Sequence, residues 1–223
     1  GGHLYVTDGL GGNPLNPAMQ PFRALGQGTL IKVHPGSHWN VATDISAFEG
    51  AHNPVGPPDT NPYGLIGTGG HRVVTDAGGN DLLEVHGNHV ELLATFPSRP
   101  ERNTDAVPTT VTQGPDGSYY VGELSGGPFN VGASNVYRVS GGQATVYCSG
   151  FSFIISMAWG PDGHLYVLQF ASAAGLTGPG ILYRIDAGCV KTPVVEDLFT
   201  PGGLAFGADG AMYISQGSIL ASG

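Results

Sequence analysis

The chain has 223 residues with 8 basic and 17 acidic side chains, a formal charge of −9 that repels a phosphate backbone and excludes nucleic acid as a partner. With 38 Gly, 17 Pro and 40% hydrophobic residues it suits many short strands and turns rather than disorder, and long amphipathic helical patterns are missing. No apolar run approaches the roughly 18 residues of a membrane span, and no charged segment followed by an apolar one opens the sequence.

Taken in order, the chain repeats itself. A strand-like word occurs as His3-Leu-Tyr-Val-Thr-Asp8, His71-Arg-Val-Val-Thr-Asp76, Ser118-Tyr-Tyr-Val-Gly-Glu123, His164-Leu-Tyr-Val-Leu-Gln169 and Ala211-Met-Tyr-Ile-Ser-Gln216. After an insertion in the first interval, the spacing is about 47 residues, which indicates a repeat architecture. Upstream of the word stands a first strand with a tight turn, as in Thr110 to Gly117, Ser156 to Gly163 and Gly203 to Gly210, where Asp bonds its own backbone and Gly takes positive φ. Downstream come a third strand (Leu30–Val33, Leu82–Val85, Val136–Val139, Leu182–Ile185) and a fourth (Val41–Ile45, Val90–Phe96, Ala144–Tyr147, Val194–Leu198).

Adjacent positions in the repeated word, such as Tyr166 and Val167, are both apolar, so both faces of that strand are buried. Four-stranded antiparallel units covered on both sides are blades, and the fold class expected is an all-β propeller with about five repeats visible. The blades expected are a partial one over 1–49, full ones over 62–97, 108–148 and 154–198, and a partial one over 202–223, all within a single domain that forms part of a larger ring. The open strand edges invite self-association or a completing segment. Long connections (8–28, 49–62, 97–108, 124–134 and 171–179) fall on one face, where binding is expected.

Several of these words resemble the ScyD/ScyE family of exported bacterial proteins: Asn61-Pro-Tyr-Gly-Leu65, Val73 to Leu83, Leu93-Ala-Thr-Phe-Pro97, Gly114 to Leu124 and Ala158 to Val167. The resemblance covers nearly the whole chain and implies a propeller related to NHL-repeat and gluconolactonase-like groups, secreted or periplasmic, with no settled catalytic residues. The scarcity of lysine, only Lys32 and Lys191, agrees with export.

The word closes on a polar residue in every copy: Asp8, Asp76, Glu123, Gln169 and Gln216. Two readings compete. In one, these residues line a ligand site at the loop-bearing face, with Asp8, Asp76 and Glu123 holding a cation such as Ca²⁺, since oxygen ligands suit it. In the other, each caps its own strand by bonding loop backbone. Arg23, Arg99 and Arg102 are the only basic residues of the long loops, which favours a cation over ion pairs if the carboxylates converge. Asp76-Ala-Gly-Gly-Asn80-Asp81 has the oxygens of a calcium loop without the EF-hand spacing, and reads as a turn. His3, His71 and His164 occupy equivalent places on different repeats, which speaks against zinc, whereas His86 and His89 flank one turn and could share a surface metal. Phe22 and Phe129 are the aromatic residues best placed to contact a ligand. Serine-hydrolase elbows, zincin motifs and phosphate loops are all missing from the sequence.

The expectation is therefore a secreted binding scaffold for a protein or small molecule, more a binder than a catalyst, with a metal-dependent lactonase-like hydrolase or lyase as the alternative. Cys148 and Cys189 are assigned to opposite ends of neighbouring blades, about 20 Å apart, and two free thiols are expected.

Overall fold

The computed structural model describes residues 3–36, 38–53, 56–99 and 104–219. The chain divides into two compact units, Gly1–Pro97 and Ser98–Gly223. In the first, β1 (Leu4–Asp8), β2 (Thr29–His34) and β3 (His38–Asp44) form a three-stranded sheet, and β4 (Pro62–Thr68), β5 (His71–Asp76), β6 (Asp81–His86) and β7 (His89–Thr95) a four-stranded one. In the second, β8 (Pro108–Gln113), β9 (Tyr119–Glu123), β10 (Ser134–Ser140) and β11 (Gln143–Phe151) are followed by β12 (Ile154–Trp159), β13 (Leu165–Gln169), β14 (Gly180–Asp186) and β15 (Val190–Leu198), and then by the two-stranded β16 (Gly203–Phe206) and β17 (Met212–Ser215). Among the described residues every strand pairing is antiparallel and joins consecutive strands, an all-β organisation in five sheets. Among the described residues no helix is long and apolar enough to cross a membrane.

The repeated turn builds itself from its own residues. Gly117, Gly163 and Gly210 take φ of 78°, 79° and 80°, a left-handed conformation that a Cβ disfavours. Asp116, Asp162 and Asp209 each accept the amide two residues on, at 3.1, 3.2 and 3.0 Å. The strand tyrosine then folds back over the turn: Tyr166 donates its hydroxyl to Asp162 at 2.9 Å, and its ring lies where a Cβ on Gly160 would be 2.6 Å away. A turn glycine, an aspartate and a tyrosine thus form one local unit, which explains why they recur together.

Within the second unit the first strands of successive sheets face one another. Thr109 Oγ1 donates to the Ile154 carbonyl at 2.6 Å, Thr110 Oγ1 accepts from Met157 N at 3.2 Å, and Ser156 Oγ accepts from Leu204 N at 3.1 Å. Between the sheets Tyr120, Phe151, Met157 and Val167 form one core and Phe153, Tyr166, Leu168 and Leu182 the next. Burial on both faces holds for β5, β9 and β13, where Val73, Val74, Val121 and Val167 are all 0% exposed. It fails for β1 and β17: Tyr5, and Met212 with Ile214, pack against a core on one face, while Val6 and Tyr213 on the other face are exposed.

Two expectations need correction. The fourth strand assigned through Ile45 ends at Asp44, which instead caps a helix, α2 (Ile45–His52), by accepting Ala47 N at 2.9 Å. A side-chain oxygen at the N-cap meets an otherwise orphaned amide, so the chain turns helical there despite its short length. The second correction concerns the cysteines: Cys148 and Cys189 form a disulfide with Cα atoms 5.3 Å apart. β11 does not stop at Cys148 but runs on to Phe151, with register shifts opposite Ser134–Tyr137, so the cysteine is internal to an outer strand. Twist of roughly 20–25° per strand accumulates toward that outer position, so its middle can approach the turn of the next sheet. Lys191 marks the same junction, donating to the Gly150 carbonyl at 2.7 Å and lying over the Phe151 ring.

Candidate metal centre

Four of the five strand-closing residues act as caps. Asp76, fully buried, accepts from Thr60 Oγ1 at 2.6 Å, Asn61 N at 2.6 Å, and Gly78 and Gly79 N at 2.9 Å. Gln169 accepts from Ser152 N and Gln216 from Phe199 N, each at 2.8 Å. Glu123 accepts from Asn135 N at 2.8 Å and from Arg99 Nη1, so an ion pair, which the scarcity of basic residues argued against, serves this carboxylate. Arg102 lies outside the described residues. Burial pushes the Glu123 carboxyl up to about 7, with Arg99 opposing it, and burial also raises Asp76 against its four donors. Asp8 is partly buried, and its carbonyl accepts Gly28 N at 2.7 Å.

The two aromatic candidates separate. Phe22 is exposed on the short helix α1 (Gln20–Ala24), while Phe129 packs edge-on against Phe153 with centroids 6.4 Å apart, as part of the second core.

The convergent donors lie elsewhere, at the open end of the β5–β6 hairpin, away from its Asp76–Asp81 turn. His71 Nε2 stands 2.8 Å and His86 Nε2 3.3 Å from Glu84 Oε1, and one ligand atom from each of the three lies within 4.8 Å of the others. The register explains the meeting. Val73 pairs with Glu84, and residues two apart share a face, so His71, Glu84 and His86 stand on one side of adjacent strands. His71 and Glu84 side chains are about one-fifth exposed and His86 about half, which leaves one side of the cluster open to solvent. Two imidazoles and a carboxylate with an open side are a donor set for Zn²⁺ or a similar ion. Comparing His71 only with its counterparts His3 and His164 in other repeats hides a cluster that it forms within its own repeat. His86 takes part with His71 rather than with His89, and Glu84 was missed altogether. Its signal was the alternation His71-x-Val73 against Glu84-x-His86 once the hairpin register is set.

A second acidic group occupies the opposite end of the same hairpin. Glu49 of α2 and Asp81 at the start of β6 are both 0% exposed, and apart from each other their four carboxylate oxygens have no hydrogen-bond partner among the described residues.

No protein-family model matches the chain, and no curated protein matches it. Solved structures do share its fold. A candidate gluconolactonase matches with a TM-score of 0.61 at 16% identity, over 97% of this chain and 76% of its own. A gluconolactonase of Xanthomonas campestris matches with 0.59 at 15%, over 85% and 63%. The calcium-binding protein regucalcin of Agrobacterium tumefaciens matches with 0.54 at 14%, over 97% and 71%. At these identities the likeness is one of fold, to gluconolactonase-type propellers rather than to the ScyD/ScyE family in particular. The expectation that catalysis is the weaker reading is corrected: the fold is one that enzymes use, and the chain carries a His₂Glu donor set that no linear motif announces.

Proposed function

We propose that the chain is a metal-dependent hydrolase of the lactonase type, with His71, Glu84 and His86 as the metal ligands. The observation that carries this is the convergence of the three donors with one side left open. Two nitrogen donors favour Zn²⁺ or Mn²⁺ over Ca²⁺ at this place. A divalent ion so held supplies Lewis acidity toward a lactone carbonyl and a more acidic bound water. Both imidazoles turn Nε2 toward Glu84 Oε1, so the three donor atoms already face one point. The more exposed His86 borders the side from which substrate would enter.

Secretion or a periplasmic location belongs to the same reading, supported by the Cys148–Cys189 disulfide, since such bonds persist in oxidising compartments. So does the ScyD/ScyE relationship, which the quoted motifs alone support. The test is lactone hydrolysis by metal-stripped protein with Zn²⁺, Mn²⁺ or Ca²⁺ added back. Activity is expected with Zn²⁺ or Mn²⁺ and should fall at least about 100-fold in Glu84→Gln and His86→Ala, as loss of a ligand costs metal affinity. Activity that is absent with every metal, or unchanged in both variants, sinks the assignment.

A further inference from the structure

We propose that Glu49 and Asp81 hold a hard divalent cation, of the Ca²⁺ class, that ties helix α2 to the loop between β5 and β6. This site is separate from the His71–Glu84–His86 cluster and does not depend on the lactonase reading.

The two carboxylates come from different elements, face each other within hydrogen-bond reach and are sealed from solvent, and beyond one another their four oxygens have no hydrogen-bond partner among the described residues. The loop between them offers its amides elsewhere: Gly78 and Gly79 both donate to Asp76. Asp76 is itself fully buried, so three carboxylates share one dry region. Among the described residues no Lys, Arg or His forms an ion pair with any of them. Arg23, the basic residue beside α2, is committed to Asp44 at 2.9 Å and Ser46 at 2.8 Å.

Buried, unpaired charge costs several kcal/mol per group, so positive charge must enter. One proton shared by Glu49 and Asp81 engages two of their four oxygens, leaves the other two without a donor and still leaves two negative charges with Asp76. A divalent cation engages both carboxylates and neutralises more. Their four oxygens are at least half of the six to eight that Ca²⁺ takes. The loop is shaped for a close approach, since a Cβ on Gly79 would fall 2.9 Å from the Glu49 carboxyl carbon and one on Gly78 2.8 Å from Thr60 backbone. In the cation-free protein, burial pushes Glu49 up to about 8 and holds Asp81 well above the usual carboxylate range. Cation binding at neutral pH must therefore expel a proton.

The experiment uses the whole chain, stripped with EDTA and titrated with CaCl₂ at pH 7.5. Calorimetry should show one site, and Tm should rise by roughly 5 °C at a hundredfold excess over Kd. Both effects should vanish in Glu49→Gln/Asp81→Asn, whose amides can bond each other, and persist in His86→Ala, which separates this site from the other. Should the double variant misfold, proton release from the wild type on adding CaCl₂, followed in weak buffer, decides the matter. A Tm indifferent to Ca²⁺ with no proton released, or a Ca²⁺ response retained by the double variant, overturns the proposal.

Discussion

Replacing Cys189 by alanine tests the junction between β11 and the β14–β15 turn. Cys189 is half-buried, whereas Cys148 is 2% exposed, so this substitution opens the crosslink and leaves the buried sulfur in place. The two cysteines are 41 residues apart. Closing a loop of that size restricts the unfolded chain by about 4 kcal/mol in the chain-entropy view. The Lys191 contacts to Gly150 and Phe151 remain in the folded state and do not replace this term, because they vanish on unfolding. With a urea m-value of roughly 2 kcal/mol/M, the midpoint should fall by roughly 2 M. Equilibrium urea unfolding of three samples provides the assay: oxidised wild type, wild type under reductant, and Cys189→Ala. The last two should coincide well below the first, and a non-reducing peptide map of the first should show the Cys148–Cys189 crosslink. A variant within about 1 kcal/mol of the oxidised protein would refute the argument that the bond acts through the unfolded ensemble.

Two further predictions concern the buried acids. Gly79→Ala places a methyl 2.9 Å from the Glu49 carboxyl without a φ penalty, so it should cost about 1–3 kcal/mol, and pairing it with Glu49→Ala should recover part of that in a double-mutant cycle; additive costs would show that the two do not touch. Glu123 is raised from 4.5 to about 7, so between those values the folded chain binds more protons than the unfolded one, and stability must fall as pH rises. Relative to Glu123→Gln, whose side chain does not titrate, the wild type should lose about 3 kcal/mol from pH 4.5 to 7 and stay level above, as read by denaturant unfolding at each pH. A difference that stays constant or rises over that window would contradict the burial assigned to Glu123.

Where short-range chemistry decides, the sequence was legible. The Asp-Gly turns specify their own φ and hydrogen bonds, and the pairs of apolar neighbours such as Val73 and Val74 announce a strand covered twice. The capping role of Asp76, Glu123, Gln169 and Gln216 was one of the two readings their position allowed. What escaped depends on contacts between elements. Helix α2 spans only eight residues and contains Gly50, so its pattern is weak, and its signal was the single cap Asp44. Cys148 was misplaced because strand length and bulges in β11 are set by its partners, not by its own residues. The His71–Glu84–His86 cluster needs the register of one hairpin, and the Glu49–Asp81 pair needs the docking of an insertion against a distant loop.

The tyrosine that folds over its own turn bears on the order of folding. Tyr166, Asp162 and Gly160 lie within seven residues of one another, and Tyr120, Asp116 and Gly114 repeat the arrangement in β8–β9. A hairpin that aligns its strands through such near neighbours closes only a short loop before its contacts form, and microseconds suffice for that. Distant joints, such as the Cys148–Cys189 bond, must wait for whole sheets to meet. Amides of β9 and β13 near these turns should therefore gain protection early in pulsed hydrogen exchange, with each hairpin serving as an independent seed on which the later sheets assemble.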